Sequence, residues 1–291
     1  MIREPDAPAA GHAQFVRHTP WTEASDFAIG LRPIPLHAWF EGEEPPEAVA
    51  ARKAEVMARA ADLAWAETHG SRPAQVEVLR LVAAALGMDA APSADPPLLA
   101  AARLVADDLC LMEKREAGWT LTAASLCAST FFTAAEAVGR PLSGLHAPVP
   151  GFNERLLSRV TRIFDALAPD VVVERRNWTL VNSAELFLPD SDPVRARIPA
   201  IPPDKVGAAL HVRVERQTLR RLPTTGAVLF TIRVWRWPLD LLADDPDRLA
   251  AFAEAWRAAQ PDFRVYKRLE LYDALVTAWL AERSSARSRT T

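Results

Sequence analysis

Residues 209–237, ALHVRVERQTLRRLPTTGAVLFTIRVWRW, read as one long β-hairpin. The first arm sets Leu210, Val212 and Val214 against His211, Arg213 and Glu215. That is period two, the mark of a strand with one apolar face. Pro223, Thr224, Thr225 and Gly226 supply the turn. The second arm places Val228, Phe230, Ile232 and Val234 on one face. Arg213 and Glu215 share the face of His211, so a polar site on a sheet face is expected. Val214 and Arg216 have one parity, which predicts a bulge or twist near Arg216.

Working outward, Asp108–Lys114 and Trp119–Cys127 flank a short turn and predict a second hairpin. Val171–Leu180 predicts a further strand. Helical spacing marks 47–68, 74–86 and 97–106 before this region, and 130–139 and 153–167 inside it. Asp245-Pro246 opens a helix to about 259, and 271–281 forms the last. The chain thus runs strand, strand, helices, strand, strand, strand. An α+β fold follows, with a PAS-like five-stranded antiparallel sheet covered by helices on one face. An N-terminal helical extension and C-terminal helices surround it. The expected divisions are a wrap and helical extension at 1–107, the core at 108–240, C-terminal helices at 241–283 and a disordered tail at 284–291.

The chain has 291 residues and 49% hydrophobic content, enough for a sizeable core. Its formal net charge of -3 gives no basic field for a phosphate backbone, so no nucleic acid partner is expected. No apolar run approaches a membrane span, and the polar N-terminus has no signal-peptide core. Cys110 and Cys127 form no C-x-x-C and read as free buried thiols. A reducing, cytoplasmic location is expected. No dinucleotide fingerprint, P-loop, G-x-S-x-G or H-E-x-x-H occurs.

Three segments hold candidate chemistry. His146 lies in Pro141-Leu-Ser-Gly-Leu-His-Ala-Pro-Val-Pro-Gly151, where Gly and Pro fix its position. Imidazole is a common metal and haem-iron ligand, although a lone histidine is more often structural. In Val173-Glu-Arg-Arg-Asn-Trp178, strand parity puts Arg175 and Asn177 on one face, with Glu174, Arg176 and Trp178 on the other. Arg and Asn can stabilise developing negative charge; a cross-strand ion pair is the plainer reading. Glu215 needs a cation if buried. Arg213 or Arg175 could supply it, and so could a protonated amine. His12, His18, His37 and His69 have no ligand-like partners nearby in sequence.

Glu-Arg-Gln-Thr-Leu-Arg-Arg-Leu-Pro at 215–223, then Ala-Val-Leu-Phe-Thr-Ile-Arg at 227–233, form a specific signature. With His-Ala-Pro-Val-Pro-Gly at 146–151 and Arg-Arg-Asn-Trp at 175–178, the chain resembles the haem-dependent oxidative N-demethylase α-subunit family. The resemblance runs from about Gly30 to Tyr272 and is strongest from Asp108 to Arg233. It implies a haem-binding PAS-like enzyme that oxidises dimethylamine, or a similar secondary amine, with O2. It implies haem b on this chain, with FMN and an iron–sulfur cluster on an NADPH-dependent reductase subunit. His146 is then the expected proximal haem ligand, with Asn177 and Arg213 beside the cofactor. Arg175 is the expected donor to bound oxygen, with Arg176 as the alternative, and Glu215 the expected carboxylate for the substrate ammonium. Phe131, Phe132, Glu136 and Ala137 depart from the family's pattern. A haem PAS-type gas or redox sensor without turnover is the alternative; a sensor should carry an output module, and the flanking helices here read as packing around one core.

Overall fold

The computed structural model describes residues 19–22, 30–42, 44–91, 93–147 and 151–287. His12, His18, the segment 148–150 of the His146 motif and the end of the expected tail, 288–291, lie outside the described residues.

Among them, seven strands form one antiparallel sheet. They are β1 (Arg32–Ile34), β2 (Trp65–Glu67), β3 (Asp108–Arg115), β4 (Gly118–Ser125), β5 (Val172–Val181), β6 (His211–Arg221) and β7 (Val228–Pro238). The spatial order is β1-β5-β6-β7-β3-β4-β2. The expectation of five strands is therefore corrected to seven. The five expected strands stand together in the middle. β1 pairs with β5 at one edge, where Pro33 is tolerated, and β2 pairs with β4 at the other. Trp65–Glu67, read from sequence as the end of a helix, is that second edge strand. The preceding helix α1 (Pro46–Ala64) stops before it.

The opening hairpin forms as read. β6 and β7 pair without interruption from His211↔Pro238 to Arg221↔Val228. The bulge expected near Arg216 is absent, and the register shift lies instead between Leu111 and Met112 on the β3–β4 pair. Alternation survives at Arg216 because its buried guanidinium is fully served on the face opposite Glu215. Nε donates to Glu174 Oε2 at 2.6 Å, Nη1 to the Trp39 carbonyl at 2.8 Å and Nη2 to the Ala38 carbonyl at 2.6 Å. A satisfied cation costs far less than an orphaned one. At the turn Gly226 takes φ 71°, a conformation open to glycine. Glu77, on helix α2 (Arg72–Ala85), accepts from the Thr224 and Thr225 amides at 2.6 and 2.9 Å and pins that turn.

Helices cover both faces of the sheet, not one as expected. β7 explains why. Val228, Ile232 and Val234 join one apolar cluster with Phe164 of helix α4 (Leu157–Ala166) and with Leu142. Leu229 of the same strand joins Val78, Val82 and, from helix α3 (Pro97–Ala102), Leu98 on the opposite face. Farther along that face, Trp235 and Trp237 pack with Phe252 of α5 (Pro246–Ala258) and Trp279 of α7 (Asp273–Arg287). A strand apolar on both sides must be covered on both. Between α5 and α7 lies α6 (Pro261–Lys267), a helix that the sequence reading did not place.

Candidate functional site

The face of the sheet that carries Val228, Ile232 and Val234 also carries the polar candidates. Cross-strand partners share a face. Arg175 lies opposite Gln217 and Asn177 opposite Glu215. Arg213 lies between Thr179 on one side and Arg236 on the other. Arg175, Asn177, Arg213 and Glu215 therefore sit on one face; strand parity pairs Arg175 with Asn177 and Arg213 with Glu215, and the register brings the two pairs together. Arg176 points to the other face, where Nη2 donates to Glu41 Oε1 at 3.3 Å.

Glu215 is the centre of this group and is 8% exposed. Arg213 Nη1 stands 2.5 Å from its Oε1. Asn177 Nδ2 and Gln217 Nε2 donate to its Oε2 at 2.9 and 2.8 Å. Burial alone would raise its pKa. The Arg213 and Lys267 charges and the Asn177 hydrogen bond outweigh burial and hold it near about 2. It is therefore ionised at neutral pH, and Arg213 is the cation a buried carboxylate requires.

Lys267, at the end of α6, completes the cluster. Its Nζ donates to Asn177 Oδ1 at 2.6 Å, and its own carbonyl accepts from Thr179 Oγ1 at 3.1 Å. Burial pushes its pKa down to about 7; the Glu215 charge opposes this, while Arg175 and Arg213 add to it. The ammonium lies over the Tyr266 ring, 4.7 Å from its centroid. Burial raises the Tyr266 phenol, and Glu215 raises it further.

His146 caps the short helical turn Leu142–Leu145. Its Nδ1 lies 3.0 Å from the Leu142 carbonyl. A carbonyl can only accept, so Nδ1 carries the proton and Nε2 keeps its lone pair. Phe152 stacks on the ring at 4.0 Å with an interplanar angle of 8°, which fixes the ring plane. Burial lowers the imidazole pKa, the Leu142 bond opposes this, and the charge of Arg175 lowers it further. Arg175 thus lies within electrostatic reach of His146. Among the described residues Arg175 has no hydrogen-bond partner of its own.

These side chains suit a haem. The donor is one oriented, neutral imidazole with Nε2 available, the usual protein contribution to haem iron. Half-buried Leu145, Val173 and Phe230 offer apolar surface on the same side of the sheet. Both cysteines are free and buried. Burial pushes both thiols up, Cys127 to about 11, so neither is a thiolate at neutral pH. Cys110 lies in β3, whereas Cys127 falls just beyond β4. Among the described residues no group of three His, Cys, Asp or Glu side chains could hold a metal ion, and no helix is long and apolar enough to cross a membrane.

Four residues of this neighbourhood were not singled out from sequence. Gln217 and Arg236 carried a signal, since each shares strand parity with a residue already chosen. Lys267 and Tyr266 did not. They reach the site from a helix about 90 positions away from Asn177 in sequence. An open cleft of about 460 Å³, lined by Arg59, Glu185, Phe187 and Arg197 among others, touches none of the expected residues. A family model described as haem-dependent oxidative N-demethylase, alpha subunit-like, matches residues 87–277. That span holds every residue of the site.

Proposed function

From the premise that this chain belongs to the haem-dependent oxidative N-demethylase alpha-subunit-like family, we propose that it demethylates a small secondary amine, such as dimethylamine, using O2. The five central strands form the PAS-like core in this reading, and the cofactor is haem b held by His146. Haem bound there supplies the centre at which dioxygen is activated. Electrons come from NADPH through a separate reductase subunit carrying flavin mononucleotide and an iron–sulfur cluster.

What supports the reading is the pairing of His146 with Arg175. The imidazole keeps Nε2 available, and Arg175, within electrostatic reach of it, has no hydrogen-bond partner among the described residues. Preorganised donors of this kind act on charge as it develops. Arg175 is assigned that role over Arg176, whose guanidinium meets Glu41 on the other face.

Glu215 holds the amine. A carboxylate offers roughly four acceptor positions, and Arg213, Asn177 and Gln217 take three of them. The remaining position, on Oε1, suits an ammonium N–H. Lys267 donates to Asn177, which donates to Glu215, and this chain holds the carboxylate in place for the amine. The amine, O2, two electrons and two protons give the demethylated amine, formaldehyde and water.

The testing experiment is an absorption spectrum of the haem-supplied protein, oxidised and reduced, with and without dimethylamine. A Soret band that shifts with the amine is the expected result. A Soret band indifferent to amines would overturn the amine assignment and favour a sensor. Absence of a Soret band would overturn the haem reading altogether.

A further inference from the structure

Beside Arg213 the polar face holds a buried carboxylate, Glu215, and a surplus of positive charge. Arg213 spends its charge on Glu215. Arg236 lies directly opposite Arg213 on the neighbouring strand. Like charges placed opposite one another repel, and no carboxylate among the described residues forms an ion pair with Arg236. Only Nη2 of Arg236 is engaged, donating to Thr130 Oγ1 and to the Leu186 carbonyl. Its Nε and Nη1 are buried without a hydrogen-bond partner, and so is Nε of Arg213, a residue only 6% exposed.

Buried N–H groups are nearly always satisfied, and orphaned ones mark a missing partner. Three such donors on two facing guanidiniums call for an acceptor that is anionic. Burial brings the Arg236 pKa down to about 9, Arg213 adds to the fall, and Glu185 and Glu215 oppose it. Arg236 also acts on neighbouring His211, lowering its pKa together with burial. The cationic excess therefore lies on Arg236.

We propose that Arg213 and Arg236 form a carboxylate-binding subsite on the same face as Glu215. A carboxylate has two oxygens and about four acceptor positions, so a single one can serve several of the donors left open on Nε and Nη1 of Arg236 and Nε of Arg213. Two sources have this chemistry. One is a propionate of haem, and this source rests on the haem reading above. The other is a free carboxylate, such as that of an N-methylated amino acid whose amine Glu215 would hold.

The test titrates the apoprotein with haem and with haem dimethyl ester, which lacks the carboxylates, and follows the Soret band. It then measures melting of the protein, at constant ionic strength, with sodium propionate and with N-methylglycine. Arg236→Leu and Arg236→Lys are compared with the unaltered chain, with circular dichroism as the check on folding. Arg236→Lys keeps a charge but loses the planar array of donors.

If the occupant is a propionate, the unaltered protein binds haem at least about tenfold more tightly than the ester, and both variants lose the preference. If it is a free carboxylate, haem and ester bind alike, while propionate or N-methylglycine raises the melting temperature of the unaltered protein and not of the variants. Neither preference nor protection would overturn the subsite. Failure to bind haem or its ester would overturn the haem reading, and the melting series would still decide this proposal.

Discussion

Lys267 Nζ donates to Asn177 Oδ1 across 2.6 Å, joining the end of α6 to the middle of β5. The bond fixes the Asn177 amide. With Oδ1 facing the ammonium, Nδ2 faces Glu215 Oε2, 2.9 Å away. The Glu215 cluster is therefore closed by a C-terminal helix, which brings the charge of a lysine to a sheet face.

That lysine should make stability depend on pH. Its pKa in the folded chain is pushed down to about 7 from an ordinary value of 10.5, with burial the first cause. Between those limits the unfolded chain binds the proton and the folded chain does not. Stability attributable to Lys267 is therefore least below pH 7 and rises as pH climbs toward 10.5. Urea unfolding of the unaltered protein and of Lys267→Met at pH 7 and pH 9 would show it. The variant should gain less from the move to pH 9, and equal gains would refute the shifted lysine.

Glu215 carries the opposite sign. Its pKa falls from 4.5 to about 2, because Arg213, Lys267 and Asn177 outweigh burial. Stability from the ionised carboxylate is present in full above pH 4.5 and is lost as pH falls through 2. Glu215→Gln leaves Arg213 buried without its counter-charge and should cost about 3 kcal/mol at pH 7. The cost should shrink as pH falls below 4. In haem-loaded protein the same variant should lose amine affinity by about tenfold with haem content unchanged. Unchanged affinity would move the amine elsewhere.

The strand residues of this cluster were legible because period two is a local signal. Counting alone puts Arg175 with Asn177 and Arg213 with Glu215, and Gln217 and Arg236 extend the counts of their own strands; the register of β5, β6 and β7 brings them onto one face. The two edge strands escaped for a physical reason. Three residues are too few to show alternation, and Trp65–Glu67 follows an alanine-rich helix whose spacing runs smoothly into it. Arg216 was misread because a charged residue at a core parity suggests a break in the strand. The structure instead satisfies it with Glu174 and two carbonyls from the 38–39 segment, partners far away in sequence. Lys267 was hidden likewise. Nothing near it in sequence tells that its ammonium meets a strand.

The β6–β7 turn is held from outside. Glu77 accepts from the Thr224 amide at 2.6 Å, the Thr225 amide at 2.9 Å and the Thr225 hydroxyl at 2.7 Å. Glu77→Ala removes a charged acceptor serving two backbone donors, which should cost about 2 kcal/mol. Chemical unfolding measures the loss. Glu77→Gln, which can still accept but carries no charge, should recover part of it. A cost within about 0.5 kcal/mol for the alanine variant, the range of an ordinary surface change, would mean that the turn holds itself.

His146 makes the sharpest separation between fold and chemistry. It is half-buried, follows a four-residue turn, and contributes one hydrogen bond and one ring contact. His146→Ala should therefore cost only about 1–2 kcal/mol of stability, while stable haem binding is lost. Phe152→Ala should be the intermediate case. It keeps the imidazole and its bond to Leu142 but frees the ring plane, so haem should bind more weakly and not vanish. Soret titration of the three proteins, with unfolding curves beside it, orders them. Full haem binding by the alanine variant at 146 would remove His146 as the ligand and leave its imidazole a structural role only.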